Sequence, residues 1–233
     1  MKSMQLELCA ASVKAILLAK KYNFDRIELC QNLEQGGTTP SAGLIQFAKE
    51  IGIETHVLIR PRSGNFIYNS DEIELMLADV KNCNSNAVKG VVVGALNEKK
   101  ELDIETLKSM ILAGKNLEFT FHRAFDDVID WKKAMDLLIQ MNFKRILTSG
   151  GKKSIDEGFI NAEEMVHYSK GRIEIMIGGG VNSENILKIK NEIQPAAIHF
   201  SATQLLQEHS NSLFSTDCLE IDENRLQSIV DNL

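Results

Sequence analysis

Two short stretches of the chain repeat one signature. Leu6-Glu7-Leu8-Cys9-Ala10 and Ile27-Glu28-Leu29-Cys30-Gln31 both read apolar, Glu, Leu, Cys. Alternation with period two marks a strand with opposite faces. Leu6, Leu8, Ile27 and Leu29 then share the face that packs on neighbouring elements, and Glu7, Cys9, Glu28 and Cys30 share the other. Neighbouring strands run about 5 Å apart, so two thiolates placed this way can hold a soft monovalent ion such as Cu(I). The same pair serves equally as small buried hydrophobes, the usual state of free cysteine. Two carboxylates on one buried face need partners, and Arg60, Arg123 and His122 are the natural ones. The cluster reads either as an acid–base set, with Glu7, Glu28 and His122 moving protons, or as an internal ion-pair network. Cys83 and Cys218 receive no role, and no Cys-x-x-Cys or close His/Cys set supports a tetrahedral zinc site.

A second group of residues suits an anion. Arg60 and Arg62 share a loop, and Arg123 follows His122, so bidentate capture of a small anionic metabolite is open to them. Gly178-Gly179-Gly180 and Ser149-Gly150-Gly151 can expose backbone N–H groups to a phosphate, with Ser201 beside them. Tight turns that simply need glycine explain the same residues. No lysine falls at the end of a strand where a Schiff base would need one. Asp126, Asp127 and Asp130 suit the start of a helix, and His167 and His209 read as surface residues.

These residues are positioned by an alternating pattern. Eight short apolar runs begin near Met4, Arg26, Thr55, Gly90, Glu118, Arg145, Glu174 and Ala197, and longer amphipathic runs separate them. Ser12, Ser41, Ser70, Asp103 and Asp130 stand where helix N-caps belong. Eight such units predict an α/β fold, a single (β/α)8 TIM barrel, with the site at the carboxyl ends of the strands. An open doubly wound sheet is the alternative, but it more often opens on a Gly-x-Gly-x-x-Gly turn, which is missing here. The barrel is expected over about 4–202 of one domain, 1–233, with a helical tail over 203–233.

Composition limits the function classes. The 233 residues carry a net charge of −6 and 6% aromatics, which disfavours nucleic acid as a partner. No apolar run is long enough to predict a membrane span. Four scattered cysteines fit a cytoplasmic protein with reduced thiols. A homodimer formed through the outer helices is open.

At these residues the chain resembles the CutC family, named for copper homeostasis. The resemblance lies in Asp25–Cys30, Glu34–Ser41, Ile59–Gly64, Thr120–Asp126, Arg145–Gly150 and Gly178–Val181. It runs in order from the first strand to about Ala202. Ser63 is a departure, standing where a second glycine is usual. The resemblance implies a TIM barrel, a cytoplasmic location and a link to copper, with Cu(I) ligands at Cys9 and Cys30. The alternative expectation from the residues is a lyase, isomerase or hydrolase acting on a small anionic or phosphorylated metabolite.

Overall fold

The computed structural model describes residues 4–86, 88–206 and 218–233. Eight parallel strands close into a barrel in sequence order: β1 (Gln5–Ala10), β2 (Arg26–Leu29), β3 (Thr55–Leu58), β4 (Gly90–Val93), β5 (Glu118–Phe121), β6 (Arg145–Thr148), β7 (Glu174–Ile177) and β8 (Ala197–Phe200). Closure comes from β1, which pairs with both β2 and β8. Around the barrel run α1 (Val13–Lys21), α2 (Ala42–Ile51), α3 (Ser70–Ser85), α4 (Ile104–Ala113), α5 (Trp131–Gln140), α6 (Ile155–Ser169) and the short α7 (Ile186–Lys188). No helix among the described residues is long and apolar enough to cross a membrane.

The caps follow the sequence closely. Side chains of Ser12, Ser41, Asp103 and Asp130 accept the N–H groups of Ala15, Leu44, Thr106 and Lys133, satisfying donors that the first helical turn leaves over. The cap of α3 is Asn69 and not Ser70, because Asn69 and Glu72 exchange hydrogen bonds as a capping box. The seventh helix is the weakest: after Lys188 the backbone widens into a π turn over Ile189–Ile193. The segment expected to be a helical tail starts instead as an antiparallel ribbon, β9 (Thr203–Leu206) with β10 (Cys218–Ile221). Among the described residues of this segment, α8 (Glu223–Val230) is the only helix.

Alternation sorts the barrel into two environments. Leu8, Ile27, Leu29, Val57, Val91, Phe121, Ile146, Ile175 and Ile198 are buried against the helices in the main apolar core. The barrel interior is far more polar: Glu7, Arg26, Glu28, His56, Thr120 and Arg145 are all buried. The amino ends of the strands hold an ion-pair network. Arg145 bridges Glu118 and Glu174, each at 2.9 Å, with Lys89 on Glu118 and Lys144 on Glu174. Burial pushes Glu118 up, but hydrogen bonds from Arg145 and Lys89 outweigh it and hold the carboxyl at about 2.

Candidate functional site

The two Glu-Leu-Cys repeats meet at the carboxyl end of the barrel. Register pairs Cys9 with Glu28, so Cys30 stands two residues further up β2 than the level of Cys9. A stagger of this kind can separate side chains into different layers. Here Cys9 Sγ lies 3.6 Å from Cys30 Sγ and 3.6 Å from Glu28 Oε2. Both thiols are buried. The loop after β2 keeps them close: Gly37, at φ +82°, packs so tightly that a Cβ there would fall 2.8 Å from Leu58 Cδ2 and 3.6 Å from Cys30 Cβ.

Below the thiols lies an internal ion-pair chain, but its partners are Arg26 and His199 and not the expected Arg60, Arg123 and His122. Register brings Arg26 level with Glu7 on one side and His199 level with it on the other. Arg26 Nε donates to Glu7 Oε2, and Arg26 Nη1 donates to Gln5 Oε1 at 2.8 Å. His199 Nδ1 donates to Glu7 Oε1 at 2.7 Å, which leaves Nε2 facing Glu28 Oε2 at 3.5 Å. Burial pushes Glu7 up, but the hydrogen bond and charge of His199, with Arg26, outweigh it and hold Glu7 well below the usual carboxylate range. Glu7 is therefore held ionised as the anchor of this chain. Burial raises Glu28, against the pull of His199. The hydrogen bond with Cys30, then burial, raises the Cys9 thiol well above its ordinary value. Burial disfavours charge on His199, yet Glu28 and Glu7 raise its pKa overall.

Ligand atoms of Cys9, Glu28 and His199 all lie within 4.8 Å of one another, close enough for one ion to touch all three. Cys30 adds a second sulfur beside them. The set fits a soft metal: thiolate and imidazole donors select Cu(I) or Zn(II) over hard cations. A carboxylate holding the far nitrogen of a histidine is the usual support for a metal-bound imidazole. His199 is the candidate ligand that the sequence reading missed. Its parity with Ser201 on β8 and the adjacency of β8 to β1 in a closed barrel were the signals that lead to it.

These residues line a cavity of about 160 Å³, together with Leu33, Gly36, Gly37, Leu58, Arg60, Phe66, His122, Arg123 and Leu147. His122 reaches in from β5, across the barrel from β1. Its ring rests on Gly94, where a Cβ would come within 2.3 Å of it. The Ala124 N–H donates to His122 Nδ1 at 3.1 Å, so the ring proton sits on Nε2. Among the described residues that buried Nε2 has no partner. Burial, then the charge of Arg60, pushes His122 down to about 3.

The expected arginine partners of the glutamates are engaged elsewhere. Arg60 donates to the carbonyls of Gln35, Gly36, Gly37 and Gly64 and stitches two loops together. Arg62 is turned away, held by Glu72 beside an outer groove. Arg123 lines the cavity but is tied to Asp126 at 2.8 Å and to Ser149 Oγ. Asp126 in turn accepts the N–H groups of Ser149 and Gly151, so it braces the loop after β6.

The expected phosphate turns do not form one cradle. Gly178 packs on Leu147 and His199, Gly179 on Arg123 and Ser149, and Gly180 on Ser154. Gly150 fits against α6, its N–H donated to Thr148 Oγ1. Ser201 Oγ lies 3.1 Å from Thr203 Oγ1 and opens on a different groove, with Asn182 and Arg225. His209 lies outside the described residues.

Comparison with known proteins agrees with this architecture. The family model of CutC matches residues 4–204. A CutC family protein of Glaesserella parasuis is 36% identical over 98% of this chain and 95% of its own. The copper homeostasis protein cutC homolog of Homo sapiens is 40% identical over 84% of this chain and 72% of its own. The solved CutC structure from Streptococcus agalactiae superposes with a TM-score of 0.80 at 36% identity, covering 84% of this chain and 98% of that one. Phosphoribosylanthranilate isomerase from Thermotoga maritima has a TM-score of 0.59 at 13% identity over 99% of this chain and 98% of its own, which shows a shared fold.

Proposed function

Because the chain belongs to the CutC family, we propose that it serves copper homeostasis in the cytoplasm by holding Cu(I) between the thiolates of Cys9 and Cys30. One observation carries this reading: the two sulfurs lie 3.6 Å apart in a buried pocket with His199 and Glu28 beside them. A metal–sulfur bond is about 2.3 Å, so one ion can touch both sulfurs without a backbone shift. His199 offers its Nε2 as a third donor while Glu7 holds its other nitrogen. Glu28 stands buried beside them, its Oε2 3.6 Å from Cys9 Sγ. Both thiols must lose a proton to bind the ion, and the Cys9 thiol holds its proton tightly. Binding therefore releases protons and strengthens as pH rises. Competition for Cu(I) against a coloured chelator tests this. The wild type is expected to take up one ion per chain, and Cys9→Ser/Cys30→Ser to lose it. Unchanged stoichiometry and affinity in the double variant overturn the reading.

The alternative we keep is an enzyme in which Glu28 and His122 do acid–base work on a small anion. The observation in its favour is the unpartnered His122 N–H, which a metal at Cys9 and Cys30 does not need. The cavity of about 160 Å³ accommodates a small anion or the anionic end of a larger metabolite. Screening small metabolites for thermal stabilisation tests it, with loss of stabilisation in His122→Ala as the expected result. A panel with no stabilising compound counts against it.

A further inference from the structure

The cavity has two unlike walls. The thiol wall carries Cys9, Cys30, Glu28 and His199. The other carries Arg60, His122 and Phe66. Arg60 is only 6% exposed, and among the described residues no carboxylate pairs with it. Its guanidinium is solvated by four loop carbonyls instead. A buried cation satisfied by neutral dipoles alone keeps its full charge, and that is costly without a counterion. The other cation of the cavity, Arg123, is balanced by Asp126. Glu28, the one acid that lines the cavity, is engaged by His199 and Cys9.

Two further features mark the same wall. His122 is 5% exposed and its Nε2–H has no acceptor among the described residues. A buried donor left unpaired is destabilising, and an acceptor in the cavity would satisfy it. Phe66 covers both groups, its ring 4.8 Å from the His122 ring and 5.2 Å from the Arg60 guanidinium carbon. One surplus positive charge, one free N–H and one apolar cover make a receptor for a molecule with a single negative charge, an acceptor oxygen and a short hydrocarbon part.

We propose that the Arg60–His122–Phe66 wall binds a small monocarboxylate, with one carboxylate oxygen on His122 Nε2–H, the charge facing Arg60 and the alkyl part under Phe66. A cavity of about 160 Å³ is close to one that admits benzene, so acids of about two to four carbons fit. A dianionic phosphate does not match one surplus charge. This deepens the reading of the cavity as an anion site and does not depend on metal at Cys9 and Cys30.

The test uses the full chain labelled with 15N-histidine, titrated with propionate, inorganic phosphate and chloride at constant ionic strength. Propionate is expected to shift the His122 ring signals saturably. Phosphate and chloride are expected to bind at least about tenfold more weakly. His122→Ala is expected to weaken propionate about tenfold by equilibrium dialysis, and His122→Gln, which keeps an N–H donor, to recover part of it. Cys83→Ser, away from the cavity on α3, is expected to bind propionate like the wild type. The wild-type titration needs no variant, so a folding defect in one leaves the test intact. Absence of a saturable shift with propionate overturns the proposal, as does equal binding of phosphate or propionate binding that survives His122→Ala unchanged. Loss of copper uptake in the cysteine double variant alongside any of these outcomes separates a failure here from a failure of the copper reading.

Discussion

Glu7→Gln removes one negative charge from the centre of the barrel and little else. Arg26 is then left fully buried without its counter-charge, beside a neutral amide, Gln5 Oε1 at 2.8 Å and Met176 Sδ at 3.4 Å. Leaving one partner of a buried ion pair without its counter-charge costs about 3–5 kcal/mol. Spread over a urea slope of about 2–3 kcal/mol per molar, this lowers the unfolding midpoint by roughly 1.5 M. The double replacement Glu7→Leu/Arg26→Met removes both charges and is expected to recover most of the loss, because apolar side chains of similar size avoid the desolvation cost. Urea unfolding followed by far-ultraviolet circular dichroism measures all three proteins. A midpoint for Glu7→Gln within about 0.3 M of wild type would refute the reasoning.

Other outcomes follow from the same geometry. Gly37→Ala forces a Cβ against Leu58 at a positive φ and is expected to cost about 1–3 kcal/mol and to weaken Cu(I) binding by displacing Cys30; equal midpoints and equal uptake would contradict this. An unfolded histidine titrates near 6.5 while folded His122 titrates at about 3, so the unfolded chain binds more protons between those values. Stability should therefore fall as pH drops from about 6.5 towards 3, by up to about 1.4 kcal/mol per unit, and His122→Gln should flatten that slope. Cys83 is buried and its thiol is pushed up to about 12 by burial, so a thiol reagent at neutral pH should label it only after unfolding, and Cys83→Ser should leave metal uptake unchanged.

Much of the barrel is readable in one sequence because each strand is short, apolar on one face and followed by a capped helix. Glu7, Cys9, Glu28 and Cys30 were assignable inward because leucine or isoleucine occupies every alternate position. Their partners were harder to read. Arg26 opens its strand and looks like a polar boundary residue, and only register places it beside Glu7. His199 is 192 residues from Glu7, so its contact exists only once the barrel closes. Arg60 and Arg62 stand two residues apart and share one parity, yet the strand ends at Leu58 and the loop beyond it turns Arg60 to the cavity and Arg62 to Glu72 and the outer groove. The ion pairs of Arg145 at the opposite end went unread because they also depend on the pairing of β5, β6 and β7.

X-ray absorption at the copper edge of the copper-loaded chain tests the thiolate site most directly. Two sulfur neighbours with one lighter donor are expected, falling to no more than the lighter donor in Cys9→Ser/Cys30→Ser, while His199→Ala keeps both sulfurs and weakens binding by about 10–100-fold. A copper spectrum without sulfur neighbours in the wild type, or one unchanged by the double substitution, would contradict copper binding at Cys9 and Cys30.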